Sequence, residues 1–238
     1  MRTVAAILLF GAVWQAVVML TGVPPYILPP PLLVLLAGWA NAGVLLANAM
    51  VTAEEVLLGL FLGTAFGVST AVAMALSDRL RGLVRPALVV SQAVPVFALA
   101  PVLTLWLGYG LAAKIAMTVL IVFFPLASVF LDGLMATPQS TLDLARLASA
   151  TRWRTLLWLR LPHALPALAS GLAIAAVYAP IGAVIGEWVG ASQGLGYVML
   201  MANARSHTDL MFAALLVLVA LTLGLHRTAQ SLSNWMAG

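Results

Sequence analysis

The 238 residues are 63% hydrophobic and only 8% charged, with a mean hydropathy of +1.11, against roughly 25% charged residues in soluble domains; this excludes a soluble enzyme and marks a polytopic membrane protein. The net charge of +4 comes from 11 basic residues dispersed among short loops rather than gathered on one face, which argues for membrane topology and against nucleic acid as a partner. Cysteine is absent, so neither a disulfide framework nor a thiolate metal site can form.

A helix needs about 20 apolar residues to cross roughly 30 Å of hydrocarbon. The first such run is 4–20. It resembles a signal peptide in its Met1-Arg2 start, but no small-residue cleavage site follows, so it reads as a retained span. The Pro-rich connector from Pro24 to Pro31 cannot be regular helix, because each Pro lacks a donor and restricts its predecessor. Residues 32–51 are apolar but interrupted by Trp39, Asn41 and Asn48; they are expected to form interfacial or re-entrant helices. The second span, 54–76, repeats small side chains at Gly59, Gly63, Gly67, Ala71 and Ala75. Such a stripe lets helices approach closely, either inside one bundle or at a dimer seam.

A charged loop with Asp78, Arg79, Arg81 and Arg85 precedes a third span, 86–106, interrupted by Pro95 and Pro101. Broken helices are tolerated in membranes where protein or water re-satisfies the backbone. After Gly108-Tyr109-Gly110 comes a fourth span, 112–131, then a polar loop, 132–163. The fifth span is 164–187, with Gly182, Gly186 and Gly190 at four-residue spacing running just past its end, and the sixth is 210–226. The whole of 1–238 is thus expected to be one all-α transmembrane domain, a six-span helical bundle.

The loop 132–163 holds Arg146, Arg152, Arg154 and Arg160, and one Arg at the centre of a span costs about 2.5–3.5 kcal/mol. It therefore stays out of the bilayer. With both termini cytoplasmic, Arg2, Arg79, Arg81, Arg85, Arg146, Arg152, Arg154, Arg160 and Arg227 lie inside, against Lys114 and Arg205 outside. That asymmetry satisfies the positive-inside rule, whereas a seventh span at 32–51 would invert every downstream loop. Within the loop, Ser140-x-x-Asp143 has the form of a capping box, with Asp143 and Arg146 an i,i+3 pair. Thr151 can cap a second short helix, which should stop near Leu161-Pro162. Two amphipathic helices meeting at Ser149-Ala150 would offer Arg and Trp to a partner, both enriched at interface hot spots.

The stretch DLARLASATRWRTLLWLRLP resembles the cytoplasmic EAA loop of ATP-binding-cassette importer permeases: Glu-Ala-Ala, three residues, Gly, nine residues, then hydrophobic-x-Leu-Pro. Aligned from Leu161-Pro162, Asp143 stands for the Glu, Leu144 and Ala145 for the two Ala, and Ser149 for the Gly. Ser there matters if the turn requires positive φ, which Ser adopts reluctantly. Similarity extends to Tyr26-Ile27-Leu28-Pro29, to the segment from Gln92 through Pro95, Ala98 and Pro101 to Gly110, to Phe123-Phe124-Pro125 and to Gly194-Leu195-Gly196. These look like the branch importing nitrate, sulfonates, taurine and thiamine pyrimidine precursors. The run from Gly186 to Leu216 is most similar to members associated with a hydroxymethylpyrimidine-like precursor.

The resemblance implies a type I importer permease of MetI-like architecture in the bacterial inner membrane. It also implies separate ATPase subunits, an extracytoplasmic solute-binding protein, a second permease copy as homodimer partner, and contact with membrane lipid. The chain has a single lysine, Lys114, and no G-x-x-x-x-G-K-[ST] loop, so it is not itself an enzyme. No cofactor of its own is expected; ATP is bound by the partner. The coupling residues implied are Asp143, Ala145, Arg146, Ser149, Trp153, Arg154, Leu161 and Pro162. Candidates for the substrate pathway are Gln92, Trp106, Tyr178 and Glu187, with Glu187 near the outer boundary, since polar groups at membrane depth are functional suspects. His163, His207 and His226 are scattered among loops and a span end and suggest no metal. A secondary transporter is the alternative of another class; it calls for buried charges and internal repeats, neither of which stands out.

Overall fold

The computed structural model describes the backbone of 2–237 and the side chains of 5–6 and 8–231. Met1 and Gly238, the ends expected inside, and the Arg2 side chain lie outside the described residues. All regular structure described is helical: α1 Arg2–Thr21, α2 Pro31–Ala40, α3 Ala42–Leu76, α4 Asp78–Ser91, α5 Val96–Leu107, α6 Leu111–Met135, α7 Gln139–Leu147, α8 Arg152–Thr155, α9 Leu161–Gly190, α10 Leu195–Ala204 and α11 Thr208–Ala237, with a π turn, Leu156–Arg160, joining α8 to α9. Among the described residues, α3, α6, the continuous run Arg152–Gly190 and Thr208–Ser231 are each long and apolar enough to cross a membrane. The α4–α5 pair passes the same test together but is bent by 99°. In α1 the described apolar part is Leu8–Thr21.

Several expectations change. Residues 32–51 are divided between α2 and the first turns of α3, which continues into the second span. The break falls at Asn41, whose backbone N–H and side-chain amide both donate to Ala37 O, at 3.0 and 2.9 Å. Beyond it nothing in the sequence stops a helix until Ser77, so α3 runs 35 residues, about 50 Å at 1.5 Å per residue. The third span, 86–106, is not a straight crossing. Pro95 disfavours helix at the residue before it, and the chain turns at 92–95 between α4 and α5. A short helix, α10, also forms within the loop that follows α9.

The centre of the bundle is α6, packed most extensively against α9 and α3. The small-residue stripe of α3 faces it. A Cβ on Gly63 would meet Val122 side-chain atoms at 2.8 and 3.0 Å, and one on Gly67 would meet Leu126 at 3.0 Å, while Gly59 lies against Thr118. The seam reading of this stripe is thereby replaced by packing inside one bundle. From the other side, a Cβ on Gly182 would sit 2.6 Å from Thr118 Cα, and one on Gly186 would sit 2.9 Å from Lys114 Cα. Backbone contact of this kind drives helix association where lipid supplies no hydrophobic difference. Met74, Leu88, Phe130, Leu131, Leu134 and Leu156 fill one end of the bundle. Val34, Leu45, Leu195, Val198, Ala213 and Ala214 fill another cluster beside α10 and α11.

In the polar loop, α7 begins at Gln139 after Pro138 with no side-chain cap. The expected capping box is therefore absent. Ser140 lies inside the helix, and Asp143 instead accepts from Gln139 Nε2 at 3.1 Å and from Arg146 Nη1 at 2.9 Å. The helix ends in a Schellman motif: Ala150 N–H donates to Ala145 O and Ser149 N–H to Arg146 O, each at 2.9 Å. Ser149 has φ +53°, so this turn does take the left-handed residue that the family supplies as Gly. Thr151 Oγ1 then accepts from Arg154 N at 3.3 Å, capping α8. The expected stop at Leu161-Pro162 does not occur. Leu161 N–H bonds back to Leu156 O across the π turn. The wider turn accommodates Pro162, which lacks an N–H and crowds the carbonyl four residues earlier, and α8 continues into α9.

Two substitutions test this packing. Ser149→Gly removes left-handed strain but frees the unfolded chain, for a net stabilisation of about 0.5–1 kcal/mol, read as a higher melting temperature of the purified protein. A lower value would contradict the turn geometry. Gly182→Leu drives its side chain into the Thr118 backbone and should lower both melting temperature and membrane yield, whereas Gly82→Leu, where a Cβ meets nothing within 4 Å, should change neither.

Candidate functional site

Two constellations stand out, one at each end of the bundle. At the end rich in arginine, α7, α8 and the π turn present Leu144, Leu147, Trp153 and Trp158 at 66, 83, 53 and 77% exposure. Large apolar side chains clustered this way mark a contact surface. Between the two helices runs a groove of about 490 Å³ whose walls include Leu144, Ala148, Arg154 and Trp158. Asp143 and Arg146 form an exposed ion pair on α7, Ala145 is buried beneath them, and Ser149 makes the turn. Arg154 and Pro162 are exposed, while Leu161 packs on the core cluster around Phe130. The eight expected coupling residues are thus spread over α7, the turn at Ser149, α8 and the first residues of α9, and Trp158, which spacing alone did not single out, is exposed between α8 and α9.

The second constellation is a buried polar cluster where α3, α6, α9 and the start of α10 meet. Lys114 Nζ donates to Glu55 Oε1 at 2.6 Å, and both residues are buried. Glu187, 1% exposed, accepts from Thr52 Oγ1 at 2.7 Å and from the Gly196 N–H. Leu195 N–H donates to Thr52 Oγ1 at 2.8 Å and Gly194 N–H to Asn48 Oδ1 at 2.7 Å. The first N–H groups of α10, which have no intrahelical acceptor, are thus satisfied from α3 and α9, with a carboxylate at the positive helix end. Gly194 is at φ +113°, and a Cβ there or on Gly196 would fall on the Glu187 carboxyl, which accounts for Gly194-Leu195-Gly196.

Glu187, expected near the outer boundary, lies in the last turn of α9, buried, and ties that helix to α3 and to the start of α10. The cluster corrects two expectations. Lys114, counted as an outer loop charge, is an interior partner of Glu55. Buried charges do exist, contrary to the pattern expected from the sequence, but they are closed within the bundle rather than set along a passage. The signal was present: Asn48, Thr52 and Glu55 lie at i, i+4 and i+7, one face of a helix, and Lys114 interrupts an apolar run.

The remaining pathway candidates do not converge. Gln92 is exposed in the 92–95 turn, Trp106 is 75% exposed on α5, and Tyr178 is 42% exposed on α9. Tyr178 does line a recess of about 250 Å³ with Ile174, Val177 and His226, so His226 lies against α9, where its Nδ1 is 3.3 Å from Ala173 O, rather than at a free span end. Among the described residues no group of side chains could hold a metal ion.

Breaking the buried pair on one side leaves an uncompensated charge at a cost of about 3–5 kcal/mol. Lys114→Met should therefore reduce folded protein in membranes sharply, and Lys114→Met with Glu55→Met should recover most of it, as measured by size-exclusion yield. Equal yields of the single and double variants would show that the pair is not coupled.

Residues 56–237 match the family described as the inner membrane component of binding-protein-dependent transport systems. A probable ABC transporter permease of Haemophilus influenzae is 51% identical over 214 residues, covering 90% of this chain and 87% of that protein. The formylaminopyrimidine transport permease of Halalkalibacterium halodurans is 35% identical over 80% of this chain and 76% of its own. A riboflavin transport permease of Chloroflexus aurantiacus is 34% identical over 93% and 83%. The inward-facing methionine ABC transporter MetNI superposes with a TM-score of 0.73 at 19% identity, over 82% of this chain and 97% of that chain, a likeness of fold. The chain belongs to the binding-protein-dependent transport family and is a multi-pass inner-membrane permease subunit of an ABC importer, not an enzyme.

Proposed function

We propose that this permease carries an aminopyrimidine related to the thiamine precursors, and that its exposed α7–α8 surface is where the ATPase subunit takes hold. The coupling reading rests on one observation: α8 passes without a break through the π turn into α9, so a displacement of the α7–α8 unit reaches the membrane directly. In this reading Leu147, Trp153 and Trp158 enter the partner, Arg154 lines the groove, and the Asp143–Arg146 pair and the Ser149 turn hold α7 at its angle to α8. ATP-driven closure of the ATPase pair then moves α9 between two packings, a rigid-body switch. The excess of arginine at this end supports a cytoplasmic location with both termini inside. Gln92, Trp106 and Tyr178, exposed on separate parts of one bundle, support a translocation path completed by a second permease copy.

The substrate reading is supported by the relative named for formylaminopyrimidine transport and by the run from Gly186 to Leu216. A sulfonate is the second reading, favoured by the taurine transport permease of Escherichia coli, 31% identical. Identifying the ligand held by the solute-binding protein that co-purifies with this permease decides between them: an aminopyrimidine is expected, and a sulfonate overturns the first reading. Trp153→Ala together with Trp158→Ala should leave membrane insertion intact while lowering ATP-dependent uptake in proteoliposomes by tenfold or more, a loss of about 1.4 kcal/mol or more of interface energy. Normal uptake with the ATPase still retained on pull-down would remove this surface from the coupling role.

A further inference from the structure

Beneath α7 lies an open cavity of about 500 Å³, adjoining the apolar groove at Ala150 and Thr155 and lined by the end of α3, the start of α4, the end of α6, α7 and the α8 segment; its walls include Arg81, Arg146, Arg152 and Arg160 against a single carboxylate, Asp78. Of these, only Arg146 belongs to the coupling residues named above. Arg152 Nη1 donates to Leu76 O at 3.1 Å and Arg160 Nη1 to Ala75 O at 3.4 Å, so part of this charge serves the last carbonyls of α3. Arg81 pairs with Asp78 and Arg146 with Asp143.

Capping and pairing leave one feature unexplained. Arg81 Nη1 and Arg160 Nη1 are each 3.2 Å from the same atom, Met135 Sδ. The two guanidinium nitrogens therefore lie no farther apart than twice that distance, and the Arg81 and Arg146 charges both bear repulsively on Arg160. A thioether is a weak acceptor and neutralises nothing. Four arginines converge here on a polar cavity with N–H donors unspent, and the one carboxylate among them, Asp78, pairs with Arg81 and only partly offsets the repulsion at Arg160. Guanidinium groups recognise phosphate through paired N–H donors. The cavity opens where α3 and α6 end, at the boundary of the membrane-spanning helices, the level at which lipid headgroups lie. Basic pockets between transmembrane helices at this depth suit anionic headgroups.

We propose that this cavity binds a phosphate group, that of an anionic phospholipid, held between Arg81 and Arg160 with Arg152 and Arg146 around it. Bound there, the phosphate ties the α3–α4 turn to the α7–α8 unit and lets the lipid modulate how stiffly that unit is mounted.

Native mass spectrometry of the full-length permease in detergent, titrated with phosphatidylglycerol and separately with phosphatidylcholine, tests the idea. Selective retention of phosphatidylglycerol is expected. Arg81→Gln with Arg160→Gln should lower it roughly ten- to thirtyfold, each arginine strengthening the hold on an anionic headgroup by a factor of about five. Arg79→Gln, on the same α4 but not lining the cavity, should not. Equal retention of both lipids by the unmodified protein overturns the proposal whether or not the double variant folds. Thermal stabilisation by millimolar inorganic phosphate without any lipid preference would overturn the phospholipid as the source. Unchanged lipid retention in the double variant with loss of the ATPase on pull-down would assign the cavity to the partner protein instead.

Discussion

The fold depends on how closely three helices can approach. Thr118 of α6 touches Gly59 of α3 on one side and Gly182 of α9 on the other, so one residue sets the spacing of both interfaces. Lipid tails are as apolar as leucine and give helices no hydrophobic reason to associate. What remains is van der Waals contact, and contact at backbone distance needs side chains that are not there. The two glycine rows are the means, and α6 is the axis they share. The outward faces of the bundle answer to lipid and to partners, which is why large apolar side chains are exposed along α1, α2, α3 and α5.

The charged groups within the bundle are gathered in one cluster. Within the bundle, Glu55 has Lys114, and Glu187 has Thr52 and the α10 backbone. These interactions fix four helices relative to one another in a region where an unpaired charge is costly. The arginine-rich end is built differently. There the charges cap helix ends, pair at the surface and surround a cavity, and the helix pair that bears them stands clear of the core, joined to it chiefly through α9. The interior end resists rearrangement; the exposed end offers surfaces to other molecules.

The architecture was largely legible in the sequence. Charge asymmetry located the loops, the small-residue repeats located close helix contacts, and the spacing back from Leu161-Pro162 singled out Ser149, the residue that takes the left-handed turn. Three things were not legible, each for a physical reason. Pro162 reads as a terminator because it lacks a donor and crowds the preceding turn, but the π turn before it lets the helix continue, and a π turn has no sequence signature of its own. Glu55 sits beside Glu54 at the head of an apolar run and looks like an interfacial acid; only the fold brings Lys114 to it from 59 residues away. The 99° break between α4 and α5 follows from Pro95, yet Pro101, equally suspicious, lies inside an intact helix.

The π turn has a bearing on direction as well as on connection. It holds one residue more than the α-helical turn it replaces, with poorer hydrogen-bond geometry, and it sits between α8 and the helix that packs at the bundle core. One extra residue turns everything before it by about 100° around the helix axis relative to an uninterrupted α-helix. The wide turn therefore sets the compass bearing of α8, and with it the side of the bundle toward which Trp153 faces.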